Sequence, residues 1–438
     1  MLSIEDNEVL TRVGPGTPMG ELMRHYWQPV CGVDDLVRSP FRTHEVKVLG
    51  EELVLYRDRG GNIGVVDKYC THRRASLAYG VVEEDGVRCQ YHGWKFNSSG
   101  QCIEQPFEDT THPEDNFRGK CDIRAYQAQE LGGLVFIYMG PAPAPLLPRW
   151  GPLIWENSVR DIAIAHLPCS WLQCQENSLD TTHTEHLHGY AGRYFQQLVH
   201  GEEPDFARGG RGTSGWHTKI GFDAFEHGIV KRRVVRGQDE NHPQWSIGHP
   251  VLFPNILWVG STLQFRVPAD DTHTLHISLY TWRAAPGTEA PQQDVVPSRR
   301  VPFRDENGQF TNLDLTFNQD YLCWITQGDI AKRHLEKLGE GDKGIILFRK
   351  QLLEQLTRMQ EGQLPTMNIF HTEAENSGLE HPRIPGEGGP LIGAGGFGRT
   401  YTYVPSEGGY SRDADKIEQT MRTWEGVDRE ALMAAAST

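Results

Sequence analysis

The chain has 438 residues, long for a single hydrophobic core, so more than one domain is expected. Its 58 Asp and Glu against 43 Lys and Arg give a net charge of −15, which argues against a nucleic-acid or anionic-membrane partner and for a folded acidic enzyme. The eight cysteines, at positions 31, 70, 89, 102, 121, 169, 174 and 323, are too sparse for a disulfide framework. Glu5, Asp6 and Glu8 stand where an export signal would need an apolar run, and no window approaches ~18 apolar residues, so a cytoplasmic location is expected.

In chain order, Thr17-Pro18 followed by Met19, Leu22, Met23 and Tyr26 reads as a capped helix with one apolar face. From about residue 27 to 139 the pattern turns to strands: Val46 and Val48, Leu53 and Leu55, a turn at Arg59-Gly60-Gly61-Asn62, then 63–66 and 133–138. Inside this β-rich region lie Cys70-Thr71-His72 and Cys89-Gln90-Tyr91-His92. Each loop offers one thiolate and one imidazole. Zinc sites with two Cys and two His usually bring a Cys pair first and a His pair later, whereas a Rieske [2Fe–2S] cluster takes two Cys on one iron and two His on the other. Cys70, His72, Cys89 and His92 are therefore expected to hold a Rieske cluster, with the Cys89/His92 side exposed for electron entry.

Residues 140–148 are rich in proline and read as a stiff connector. Beyond it, 173–190 has helical length, strands are expected at 228–235, 251–260, 262–267 and 273–284, and helices at 314–339, 344–360 and 413–424. The expected fold class is α+β. An N-terminal helix and all-β Rieske domain (1–145) precede an α+β catalytic domain (146–360), in which an antiparallel sheet wraps on helices. A Gly/Pro-rich extension with a final helix (361–438) completes the chain. Within that extension Gly393-Ala-Gly395-Gly396-Phe397-Gly398 matches a nucleotide-loop spacing, but a strand rather than a helix is expected after it, at 400–404, so no nicotinamide or flavin site is assigned.

The segment Asn177-Ser-Leu-Asp180-Thr-Thr-His183-Thr-Glu-His186-Leu-His188 concentrates three histidines and two acids. Two imidazoles with one distant carboxylate make the facial triad of non-haem Fe(II), which keeps positions open for O2. Positions 183 and 186 share a helical face, while 183 and 188 lie about 500° apart, about 140° from one face.

Taken together, Cys70, His72, Cys89, His92 and the N-x2-D-x2-H-x4-H pattern of Asn177, Asp180, His183 and His188 resemble the oxygenase α-subunits of Rieske non-haem iron aromatic-ring hydroxylases. The resemblance implies that His183 and His188 bind iron, which demands a local distortion of the helix. It implies that Asp180 bridges the two metal sites in a homotrimer, cluster of one subunit to iron of the next. It also implies a downstream carboxylate. Asp314, Asp320 and Asp329 are candidates, and the run from Gln319-Asp320 to Gln327-Gly328-Asp329-Ile330-Ala331-Lys332-Arg333 resembles the phthalate-dioxygenase branch, which puts the ligand at Asp320.

Residues 100–106 and 146–150 resemble the O-demethylases of that branch that act on lignin-derived biaryls. O-demethylation of a methoxylated aromatic acid with release of formaldehyde is therefore expected, with cis-dihydroxylation as the alternative. Electrons from NADH would enter through a separate reductase and a ferredoxin. Trp216, Phe253, Trp258, Phe265 and Trp282 are candidates for an aromatic pocket, and Arg232, Arg233, Arg266 and Arg283 for a substrate carboxylate.

Overall fold

The computed structural model describes residues 2–114, 117–201, 216–381 and 411–424. The glycine motif at 393–398 and the strand expected at 400–404 lie outside them.

Two short helices open the chain. Ser3 caps Ile4–Thr11 by accepting the Asp6 N–H, and Thr17 caps Pro18–Arg24 by accepting that of Gly20. Arg24 is buried, where it donates to Glu51 at 2.7 Å and to the Gly20 and Leu49 carbonyls. That pairing ties the second helix to the β-rich region after it. There Thr43–Val48, Glu51–Arg57 and Ile63–Asp67 form one antiparallel sheet, four short strands between Val81 and Glu104 a second, and Gln28–Gly32, Leu134–Tyr138 and Gln127–Leu131 a third.

The catalytic half is built on an eight-stranded sheet. Its spatial order is His217–Phe225, Gly228–Val235, His249–Leu252, Ile256–Val259, Thr262–Asp270, His273–Arg283, Ser158–Leu167 and Ser298–Arg300. All neighbours are antiparallel except the last pair. Alternation along the central strands divides its two faces. Ile162, Ile164, Phe265, Val267, Ile277 and Leu279 share one core with Val30, Phe136 and Ile137 of the N-terminal sheets. Ala163, Ala165, Leu167 and Tyr280 face the other way, onto Tyr321 and Trp324 of helix Thr316–Thr326.

The second half of the proline-rich connector, from Pro145, is packed against the rest of the chain. Trp27 donates to the Pro145 carbonyl at 2.9 Å, Leu146 to that of Phe370 at 2.8 Å, and Asn376 bonds both Leu147 and Arg149. Residues 370–380 thus clasp the connector from the C-terminal side, and helix Ala414–Arg422 packs on Ser158–Leu167 and His273–Arg283.

Two expected helices differ. The one expected over 314–339 runs only from Thr316 to Thr326, because Gly328 takes φ +93 just past its end. The one expected over 173–190 breaks after Trp171–Asn177. The Asp180 carboxylate accepts the N–H groups of Thr182 and His183 and so restarts the helix. The strand expected over 251–260 is two strands separated by a turn at Phe253-Pro254-Asn255, where Asn255 bonds Gln28 and the Arg266 carbonyl.

Candidate active site

The two cysteine loops close in the same way. Cys70 donates its N–H to the Ala75 carbonyl and accepts from Arg74, while Cys89 donates to Trp94 and accepts from Gly93. In each, the residue four after the cysteine has positive φ, +58 at Arg74 and +76 at Gly93. Thr71 anchors the first loop to the Cys121 carbonyl at 2.8 Å, and Arg88 anchors the second through the Gly93 carbonyl at 2.7 Å. Both thiols are buried and face each other, while the rings of His72 and His92 lie 4.3 Å apart at the surface. The contact with Cys70 lowers the Cys89 thiol to about 6, and the N–H groups of Tyr91 and His92 favour its thiolate further.

This geometry suits a [2Fe–2S] cluster with its cysteine end inward. It also corrects one expectation. Cys89 is 2 % exposed, so the open side is His72/His92 rather than Cys89/His92.

The second constellation forms where the restarted helix changes winding. Residues His183–Glu185 are α-helical and His186–Ala191 form a π-helical turn, so five residues bring the His188 ring to the His183 ring, with centroids 5.0 Å apart. Their Nε2 atoms lie 3.7 Å and 3.3 Å from Asp320 Oδ1 on the facing helix. His183, His188 and Asp320 offer ligand atoms all within 4.8 Å of one another. His186 turns away, against Trp216 and Tyr190.

Each imidazole is oriented from behind. His183 Nδ1 meets the Asp180 carbonyl at 2.7 Å and His188 Nδ1 the Gln319 Oε1 at 2.8 Å, so protons on Nδ1 leave both Nε2 lone pairs aimed inward. Gln319 is held in turn by donating to the Leu313 carbonyl. Asp320 Oδ1 is buried and has no hydrogen-bond partner among the described residues, a costly arrangement unless a cation completes it. Burial opposes ionisation of Asp320, yet the His188 imidazole outweighs it and keeps the carboxyl below its usual range. The donor set of two imidazoles and one carboxylate fits a divalent iron.

Of the other acids, Asp314 precedes the helix and faces His200 at 3.1 Å, and Asp329 follows it, its carbonyl accepting from Ser170. Asn177 ends its helix and accepts the Asp180 N–H at 3.1 Å. Phe253, Trp258 and Phe265 lie in the core shared with the N-terminal sheets, so they do not line a pocket on the helix-covered face. Trp216 is exposed beside His186, and Trp282 packs at the edge of the cluster around Tyr280.

Among the arginines, Arg232 is committed to Asp223 and three carbonyls, Arg233 to Gln244 and Thr184, and Arg283 lies over Trp155. Arg266 reaches the interior face, opposite His276, and Arg233 reaches it through its bond to Thr184. Sequence reasoning gave no role to Gln319, although it adjoins Asp320, or to Lys231, which lacks any motif.

The Rieske [2Fe-2S] domain family matches residues 26–126, and a family described as "LigXa C-terminal domain like" matches 300–377. The 5,5'-dehydrodivanillate O-demethylase oxygenase subunit of Sphingobium sp. (strain NBRC 103272 / SYK-6) is 42% identical over 88% of this chain and 87% of its own. This chain is a Rieske oxygenase α-subunit. Other members of the family extend the comparison. The phthalate 4,5-dioxygenase oxygenase subunit of Pseudomonas putida is 31% identical over 83% of this chain and 88% of its own. The fold is that of NdmA from Pseudomonas putida CBB5, at a TM-score of 0.56 and 20% identity, covering 86% of this chain and 98% of that one. As a Rieske oxygenase the chain is an oxidoreductase, and among its described residues no helix is long and apolar enough to cross a membrane.

Proposed function

We propose that this Rieske oxygenase O-demethylates a methoxylated, lignin-derived aromatic acid and releases formaldehyde. The carrying observation is the convergence of His183 Nε2, His188 Nε2 and the orphaned Asp320 Oδ1 in a chain 42% identical to an O-demethylase oxygenase subunit. When bound, a cluster on Cys70, His72, Cys89 and His92 and a ferrous ion on His183, His188 and Asp320 would supply one-electron delivery and O2 activation. The protein's own part is orientation. Gln319 and the Asp180 carbonyl set the imidazole tautomers, and the π-helical turn sets their spacing. Hydroxylation of the methoxy carbon gives a hemiacetal, which collapses to the phenol and formaldehyde.

In this reading Asp180, with Asn177 behind it, connects the two sites. One Asp180 oxygen is held by Thr182 and His183, and the carboxylate retains 26% exposure. In a C3 ring, Asp180 would meet a cluster histidine N–H of a neighbouring subunit. Two exposed apolar patches support such a head-to-tail contact. Phe41, Tyr79, Tyr91 and Phe107 are exposed in the Rieske domain that carries the cluster loops, and Tyr190, within the iron-site turn, with Tyr194, Leu198 and Val199 after it, are exposed on the other side. NADH-derived electrons would arrive through a separate reductase and a ferredoxin, in the cytoplasm.

Purified protein should contain about three iron ions per chain, two in the cluster and one mononuclear. Supplied with dithionite or a borrowed reductase, it should convert 5,5'-dehydrodivanillate with formaldehyde in proportion to substrate consumed. A second reading, cis-dihydroxylation, is favoured by the 42% identity over 80% of this chain to the 3-chlorobenzoate-3,4-dioxygenase oxygenase subunit of Comamonas testosteroni. A cis-diol without formaldehyde would select it.

A further inference from the structure

Lys231 is a basic residue on the iron-site side of the sheet. It stands directly opposite Phe222, so the two side chains share a face of the sheet. Phe222 lies against Gly344 of helix Lys343–Gln360, and Gly344 in turn lies close to the Leu179 carbonyl, just before the segment that carries the metal-site histidines. Arg233, two residues on and in the same phase, donates to Thr184, next to His183. Among the described residues no hydrogen bond or ion pair reaches Lys231 Nζ.

The side chain keeps some accessible surface, yet burial pushes its ammonium down to about 7, with Arg233 adding to the shift and Asp180 and Asp320 opposing it. Lys231 is thus half-buried on the sheet face that carries Arg233 toward the metal-site segment. The other charges there are committed. Asp180 is held by Thr182 and His183, Arg233 by Gln244 and Thr184, and Arg266 by Gln264, while Asp320 Oδ1 is turned to the candidate iron position. A half-buried ammonium without a partner among the described residues is costly until an anion joins it, and then a charge-assisted hydrogen bond forms.

We propose that Lys231 receives the carboxylate of the substrate and so sets the preference of this site for aromatic acids over neutral aromatics. The inference rests on the cavity beside His183, His188 and Asp320 being the substrate site. It does not depend on which oxygenation follows.

The test is calorimetric binding to iron-loaded, oxygen-free protein. The ligands are 5,5'-dehydrodivanillate, phthalate and 3-chlorobenzoate, each beside its primary amide. Wild type should bind at least one acid about tenfold or more tighter than its amide. Lys231→Met should weaken that acid about 10–100-fold and change the amide less than about threefold, while Lys231→Arg restores part of the loss. Unchanged cluster absorption and iron content establish that the variants are folded. If Lys231→Met does not fold, Lys231→Gln takes its place. The proposal is overturned if acid affinity survives in the neutral variant, if acid and amide fall together, or if wild type binds none of the acids. Formaldehyde and diol are assayed separately, so a wild type that binds acids through Lys231 but forms no formaldehyde rejects demethylation and leaves this assignment standing.

Discussion

Replacing Gln319 by Leu removes the acceptor that keeps the His188 proton on Nδ1. The amide oxygen lies 2.8 Å from His188 Nδ1, and its own orientation is fixed by a 2.8 Å bond to the Leu313 carbonyl, so it has one competent arrangement. A buried neutral hydrogen bond contributes about 1 kcal/mol. Without it the proton can move to Nε2 and occupy the lone pair directed at Asp320, which adds to the loss. Loss of such supporting partners usually costs about 10–100-fold in metal affinity, or about 1.4–2.8 kcal/mol. Chelator competition on the purified protein measures this directly. The [2Fe–2S] absorption acts as an internal reference, because the cluster loops do not touch Gln319. Gln319→Leu should lose its mononuclear iron at correspondingly lower chelator concentration with the cluster unchanged, and Gln319→Glu, a stronger acceptor, should hold iron at least as well as wild type. Equal iron retention in the Leu variant and wild type would refute the argument that Gln319 orients a ligand.

Three further outcomes are expected. His186→Ala should keep mononuclear iron within about threefold of wild type in the same titration, because His186 faces Trp216 and Tyr190, whereas His188→Ala should lose about 100-fold or more. Asp180→Asn should retain both metals by iron analysis yet lose nearly all steady-state turnover if it bridges the sites as proposed, since a charged acceptor becomes a weaker, neutral one; an active Asn variant would end the bridging role. Glu176 is buried between Arg333 at 2.8 Å and Arg349 at 2.6 Å. Burial opposes its ionisation, but the two guanidiniums outweigh it and hold the folded carboxyl below its usual range. Its stabilisation is therefore present above the unfolded value, about 4.3, and is lost as pH falls through the lower folded value. In denaturant titrations Glu176→Ala should cost about 3–5 kcal/mol at pH 7, with the gap to wild type narrowing in acid.

Much of the cluster site was legible in the sequence because its chemistry is local. Cys70 and His72, and Cys89 and His92, lie within a few residues of each other, and Gly93 takes the positive φ that closes the second loop, so residue type and spacing carry the information. The strands from 43 to 67 and helix Lys343–Gln360 were likewise readable from alternation and helical period. The iron site was only half legible. The choice between His186 and His188 turns on a π-helical turn, which depends on packing against helix Thr316–Thr326 rather than on residue preference.

Singling out Asp320 among three acids required knowing where that helix begins and ends. Gly328 and the side-chain contacts of Asn318 settle this, and the period of the sequence does not. The same holds for charge and aromaticity. Lys231, Arg232 and Arg233 are consecutive in the chain, and Trp258 and Phe265 look as suited to a pocket as to a core. Which of them meets the metal site depends on strand phase, since a shift of one residue exchanges the two faces of the sheet. The sequence by itself therefore determined the kinds of ligand and the cluster loops. The tertiary structure decided which distant residues share a face, because pairing register and helix ends are properties of the packed molecule.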